Sequence, residues 1–134
     1  MNRIHNKLFI IGMVIFTAFN IANAETRVEK DELKTLITGK TLEGKWIVWD
    51  SNYRMYLDPN GDMKRVYGKG TKLTNDLSGT WRINKKGKLC YEVNNERCRR
   101  VKKRDDGGYN LYNKMGELKQ TIDNIIDGNP YNLK

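Results

Sequence analysis

Leu89-Cys90-Tyr91-Glu92-Val93 and Arg97-Cys98-Arg99-Arg100-Val101 are two short β-prone segments, and Asn94-Asn95-Glu96 between them favours a turn. A loop centred on Asn94 sets Cys90 directly opposite Cys98. These are the two cysteines of the chain, so a disulfide between them would staple one antiparallel hairpin across facing positions. Closing so small a ring contributes about 2–3 kcal/mol in the loop-entropy account. Seven intervening residues match no metal-binding spacing, and no histidine stands nearby to complete a zinc site.

Outward from this hairpin, the pattern of short strands and turns continues. Trp46-Ile47-Val48-Trp49 is a compact β-prone run, and Tyr53, Met55 and Leu57 alternate with Arg54 and Tyr56. Asp58-Pro59-Asn60-Gly61-Asp62 is a turn, because proline presets φ and glycine accepts a left-handed backbone. Strand signals resume over Met63 to Tyr67 and Leu77 to Ile83, and Lys85-Lys86-Gly87 turns into the cysteine hairpin. Asp105 to Gly108 turns into Tyr109 to Tyr112, and Asn113 to Gly116 into Leu118 to Ile122. One short N-terminal helix precedes all of this. Thr26 and Glu29 have capping-box spacing, Leu33, Leu36 and Ile37 recur with helical period, and Gly39 marks the stop.

The fold class is therefore all-β: a small antiparallel meander of about eight strands, barrel-like (calycin-like), with one short N-terminal helix. Closure removes exposed strand edges. Eight strands enclose a space that side chains fill or that holds one small ligand. A strongly bent open sheet packed on the helix is the competing architecture.

The first 24 residues stand apart. Arg3 and Lys7 precede the apolar run Leu8 to Phe19, and Ala22-Asn23-Ala24 places small residues where a signal peptidase cuts. The run is shorter than the ~20 residues of a membrane-spanning helix. The expectation is a cleaved signal peptide over 1–24, a single small β domain over 25–134, a periplasmic or secreted location, and no transmembrane segment after cleavage. An oxidising compartment also favours the Cys90–Cys98 pairing. Cleavage removes His5, the one histidine in the chain. Ser/His/Asp and Cys/His catalysis and imidazole-based zinc sites are then excluded, and the expectation is a non-enzyme with no catalytic residue, metal or cofactor.

Without Arg3 and Lys7, 23 basic and 16 acidic residues leave a net charge of +7. Residues 85–104 hold nine of those bases and two acids, so this window carries the whole excess. Such a concentration attracts anions, and its arginines can grip carboxylate or phosphate bidentately. The candidate anion-binding residues are Arg97, Arg99, Arg100, Lys102, Lys103 and Arg104. Consecutive strand residues point to opposite faces, so Arg99 and Arg100 divide the charge between the two sides of the sheet. Basic residues on an edge hairpin also deter unwanted strand pairing.

Two other segments look like familiar sites and are not. Gly68-Lys69-Gly70-Thr71-Lys72 lacks the spacing of a phosphate loop. Asp58, Asn60 and Asp62 alternate as calcium ligands do, yet Met63 stands where the loop needs glycine and Lys69 where it needs glutamate. Both read as inter-strand turns.

Ser78-Gly79-Thr80-Trp81-Arg82-Ile83, followed by Gly87-Lys88-Leu89-Cys90-Tyr91 and Arg97-Cys98, resembles a family of small exported proteobacterial proteins catalogued as domain of unknown function 995 (DUF995). Gly108 to Tyr112, Gly116, Gly128-Asn129-Pro130, Asp31-Glu32-Leu33, Gly39 to Leu42 and Asp58 to Gly61 also fit its pattern, so the resemblance spans roughly residues 30–130. It implies export, a disulfide and a small β architecture. It implies no activity, and the basic run after Cys98 departs from its general pattern.

The sequence thus points to an exported β protein that works by binding. The first candidate partner is an anionic envelope component or extracellular polyanion held by the basic hairpin, without sequence-specific nucleic-acid recognition. Another exported protein is the second, with this chain as an interaction protein or inhibitor. A carboxylate-based hydrolase, which needs two buried acids about 5–10 Å apart, is the third, and a small apolar ligand inside the barrel is a further option.

Overall fold

Turns of two to five residues join nearly all the strands, and connections that short pair neighbouring strands antiparallel. The computed structural model describes residues 25–134; the leader expected over 1–24 lies outside them. The elements are β1 (Thr26–Arg27), α1 (Lys30–Ile37), β2 (Lys40–Trp46), β3 (Ser51–Leu57), β4 (Asp62–Lys69) and β5 (Lys72–Ile83), then β6 (Leu89–Glu92), β7 (Glu96–Lys103), β8 (Tyr109–Tyr112), β9 (Leu118–Ile122) and β10 (Asn124–Asp127).

Strands β2 to β9 pair in sequence order, and β9 returns to β2 through Trp46 opposite Gln120. The sheet is a closed eight-stranded barrel, and the bent open sheet is set aside. At the closing seam the chain breaks at Asp123, whose N–H donates to the Glu43 carbonyl, and β10 carries on along the first half of β2. The seam needs glycine: a Cβ on Gly44 would sit 1.9 Å from the Thr121 carbonyl oxygen.

The cysteine hairpin has the register expected of it, with Leu89 opposite Arg99, Cys90 opposite Cys98 and Tyr91 opposite Arg97. The disulfide Cys90–Cys98 joins Cα atoms 4.0 Å apart. Beside it, Arg82 donates to both Glu96 carboxylate oxygens across the same face.

Two local expectations are corrected. Thr26 does not cap the helix; it pairs with Lys103 in β1, and Glu29 is the N-cap residue, without a side-chain cap hydrogen bond. Backbone pairing to β7 outweighs a local cap, because it also buries Val28 against the Val101 carbonyl. The run Trp46–Trp49 is not a strand. The strand is the more polar Lys40–Trp46, and Ile47 to Asp50 form the turn, with Asp50 at φ +47°. Backbone pairing with β3 on one side and with β9 and β10 on the other selects that strand, not the density of apolar side chains.

One end of the barrel is solid. Leu33 and Ile37 of α1 are fully buried and join Leu42, Leu57, Met63 and Leu89 in a continuous apolar core. Gly39 ends the helix with φ +70° and donates its N–H to the Leu57 carbonyl, which ties α1 to the wall. Among the described residues no helix is long and apolar enough to cross a membrane.

Candidate functional site at the open end of the barrel

The helix covers one end, so the opposite end is bounded only by the turns β2–β3, β4–β5, β6–β7 and β8–β9. There a cavity of about 610 Å³ enters the lumen. Trp46, Tyr67, Leu77 and Val93 form its apolar wall, Tyr91 and Arg65 its floor, and Trp49, Lys69, Asn95 and Arg97 its rim. The rim turn is apolar and open to solvent, with Val48 64% and Trp49 70% exposed.

The floor is built by strand alternation. Met55 in β3 faces Arg65 in β4, which faces Leu77 in β5, so Arg65 shares the inward face with the core. It is only 7% exposed, and its guanidinium carbon lies 4.1 Å from the centre of the Trp46 ring and 5.7 Å from that of Tyr67. Stacking on aromatic faces partly compensates the lost hydration of a cation. Burial draws the Arg65 pKa below the ordinary guanidinium value, yet a guanidinium stays charged at any physiological pH.

Beside Arg65, the Tyr91 hydroxyl donates to Gln120 Oε1 at 3.0 Å, and the Tyr53 hydroxyl donates to the Thr121 carbonyl at 2.6 Å. Burial pushes both phenols above their ordinary pKa; nearby Arg99, Arg65 and Arg97 oppose that push at Tyr91. Both therefore remain neutral donors. Trp46 packs against Tyr53 and, edge to face, against Tyr91, which holds the floor rigid.

The six basic residues singled out from the sequence do not converge. Arg97, Arg99 and Lys103 belong to the inward-facing set of β7 with Val101, whereas Arg100 and Lys102 share the outward face with Cys98. Arg97 reaches the cavity rim, and Arg99 is buried behind Tyr91. Arg104 is occupied by the fold: it donates to Asp106, Asp123, the Tyr109 carbonyl and Asn110. On the outside, Arg100, Lys102, Lys88 and Lys114 line a second, smaller hollow of about 320 Å³. Partial burial, then Arg100, Lys86, Arg27 and Lys114, hold the Lys88 ammonium below its ordinary pKa. Positive charge is therefore dense on this face, although Tyr112 stacks under Lys102 and Glu25 accepts from Tyr112 nearby.

Arg65, Trp46 and Gln120 were not singled out from the sequence. A signal for Arg65 was available: it sits between Met63 and Tyr67 on the apolar parity of its strand, where a cation is out of place. The sulfurs of Cys90 and Cys98 lie with the Glu96 carboxylate in a group of metal-ligand type, but the sulfurs are bonded to each other and Glu96 is paired with Arg82. The two buried acids a carboxylate hydrolase requires are not found among the described residues, whose buried polar side chains are Thr41, Ser51, Arg65, Arg99, Asn110 and Gln120.

Comparison of the chain with protein-family models, with curated proteins and with solved structures finds no match. The fold and the site define a class: a small closed antiparallel barrel, cross-linked once, plugged by a helix at one end and hollow at the other.

Proposed function

We propose that this chain is an exported, non-enzymatic binding protein of the DUF995 type it resembles, and that it holds a small, partly apolar molecule in the open end of its barrel. One observation carries the reading: a cavity of about 610 Å³ walled by Trp46, Tyr67, Leu77 and Tyr91 over a rigid floor. Ligand sites are concave and mostly apolar, with a few polar groups that orient the occupant, and the mouths of β-barrels commonly form them. A folded chain gains nothing by leaving an aromatic hollow to water.

The test uses N-phenyl-1-naphthylamine, an uncharged dye that fluoresces in apolar surroundings. The expected result is saturable enhancement at one dye per chain, abolished by Leu77→Trp, which fills the cavity, while the melting temperature is kept. Absence of enhancement by the unaltered protein overturns the reading.

The outward hollow supports a second reading. Arg100, Lys102, Lys88 and Lys114 cluster there, and they suit an anionic envelope polymer. Such binding is screened by salt, so an affinity for anionic polysaccharide that does not fall between 50 and 500 mM salt eliminates it. The exposed turn Ile47-Val48-Trp49 is the surface that contact with another exported protein would use.

A further inference from the structure

Among the described residues, the buried side-chain nitrogens and oxygens without any hydrogen-bond partner are Arg65 Nε, Arg99 Nε and Gln120 Nε2. All three lie on the inward face of the barrel: Arg65 pairs across to Leu77, Arg99 to Leu89, and Gln120 to Leu111 and Trp46. All three are also donors. A buried polar group left unpaired is costly, and a buried charge more so. Of the three, Arg65 lines the cavity, and an unpaired buried donor there asks for an occupant that accepts hydrogen bonds.

The charges point the same way. Arg65, Arg97 and Arg99 face the lumen, and none of them takes part in an ion pair of the described residues. The strand registers place no aspartate or glutamate on that face. Elsewhere the acids are used: Glu43 pairs with Arg54, Glu96 with Arg82, and Asp106 and Asp123 with Arg104. Among the described residues these inward guanidinium groups stand together without a carboxylate, and Arg65 and Arg97 of them line the larger hollow.

We propose that the lumen is an anion-binding site for an amphipathic ligand, with Arg65 as the residue that grips its single oxyanion head and Trp46, Tyr67, Leu77 and Val93 as the wall along which its apolar body lies. This rests on the cavity reading above and adds the chemical class of the occupant: a carboxylate or similar monoanion on an aromatic or aliphatic body. An ionised carboxylate is acceptor-only and takes the planar fork of arginine bidentately. Arg97 at the rim meets the incoming charge, and Arg99 behind Tyr91 adds to the potential of the floor. Arg65 is only 7% exposed, so its contact is weakly screened and the attraction persists at ionic strengths that abolish surface binding.

Two dyes with the same skeleton separate the claims. N-phenyl-1-naphthylamine is uncharged, and 8-anilinonaphthalene-1-sulfonate carries one anionic group on that framework. The expected result is that the sulfonate binds at least about tenfold more tightly than the neutral dye, a difference that one buried charged contact readily supplies. Its affinity should change by less than about threefold between 50 and 500 mM salt, because the contact is sheltered. Arg65→Met should bring the sulfonate down to the neutral dye's affinity, so that the ratio between the two dyes collapses to about one.

The same variant carries its own control. Replacing an unpaired buried cation by an apolar side chain should leave the melting temperature unchanged or higher, whereas a merely structural arginine would lower it. Should Arg65→Met not fold, Arg97→Gln at the exposed rim should still weaken the sulfonate selectively. Arg100→Gln with Lys102→Gln, on the outer face, should do nothing. Competition by dodecanoate but not by 1-dodecanol extends the class to aliphatic carboxylates; competition by 1-naphthoate alone restricts it to aromatic ones. If both dyes bind equally, or if Arg65→Met and Arg97→Gln leave their ratio intact, the anion site is overturned while the cavity stands. If neither dye binds, the cavity reading itself falls.

Discussion

At the scale of single residues, arginines one or two positions apart do unrelated work here. Arg99 and Arg100 are neighbours in β7, yet one is buried behind Tyr91 and the other faces solvent. Alternation alone makes that division readable from the sequence. What is not readable is the fate of Arg104, which follows the strand and spends its donors on Asp106, Asp123, Asn110 and the Tyr109 carbonyl. Partners 2 to 19 residues away are brought to it by the turn before β8 and the far end of β9. Hydrogen bonds to a charged group contribute more than neutral ones, so Arg104→Gln should lower stability by about 1–2 kcal/mol. Urea unfolding measures this, and dye binding to the lumen should be unaffected.

At the scale of elements, the cysteine hairpin was legible because everything that defines it is local: two β-prone segments, a turn between them and one register that opposes the thiols. Replacing both cysteines by serine should cost about 2–3 kcal/mol, a fall of roughly 10–20 °C in melting temperature for a domain of this size. A melting temperature unchanged on reduction would show that the cross-link adds nothing to the hairpin. The strand β2 was not legible, because its inward residues Leu42, Gly44 and Trp46 include a glycine and its outward ones, Thr41, Glu43 and Lys45, are polar or charged. Gly44 has no local reason to be glycine; its reason is the Thr121 carbonyl on the other side of the seam. Gly44→Ala should therefore destabilise by about 2–4 kcal/mol, near the upper end for a single substitution. A denaturation midpoint within error of the parent would show that the seam relaxes freely.

At the scale of the whole molecule, closure decides both stability and function. The carboxyls of Glu25, Asp50, Glu96, Asp106, Glu117 and Asp127 are each held below their ordinary values, chiefly by Tyr112, Lys45, Arg82, Arg104, Asn113 and Lys40 in turn. A group with a depressed folded pKa stabilises fully above its ordinary pKa, here 3.8 for Asp and 4.5 for Glu, and that stability is lost as pH falls through the folded value. Scanning calorimetry should find a melting temperature that holds above pH 4.5 and declines on further acidification; a rise there would contradict these pairings. Loss of pairing also adds net positive charge to an already basic chain. The amino-acid sequence by itself determined the all-β class, the helix over Leu33 and Ile37, the hairpin register with its disulfide, and a positive excess split by Arg99 and Arg100, since each depends on periodicity or on residues a few positions apart. Tertiary structure alone decided that the sheet closes, that one end is plugged and the other hollow, and that Arg65, Trp46, Tyr91 and Gln120, which lie on four different strands, meet in one contiguous group. Their proximity follows from the return of β9 to β2, a contact between residues 74 positions apart, and no local pattern encodes which distant strands will meet.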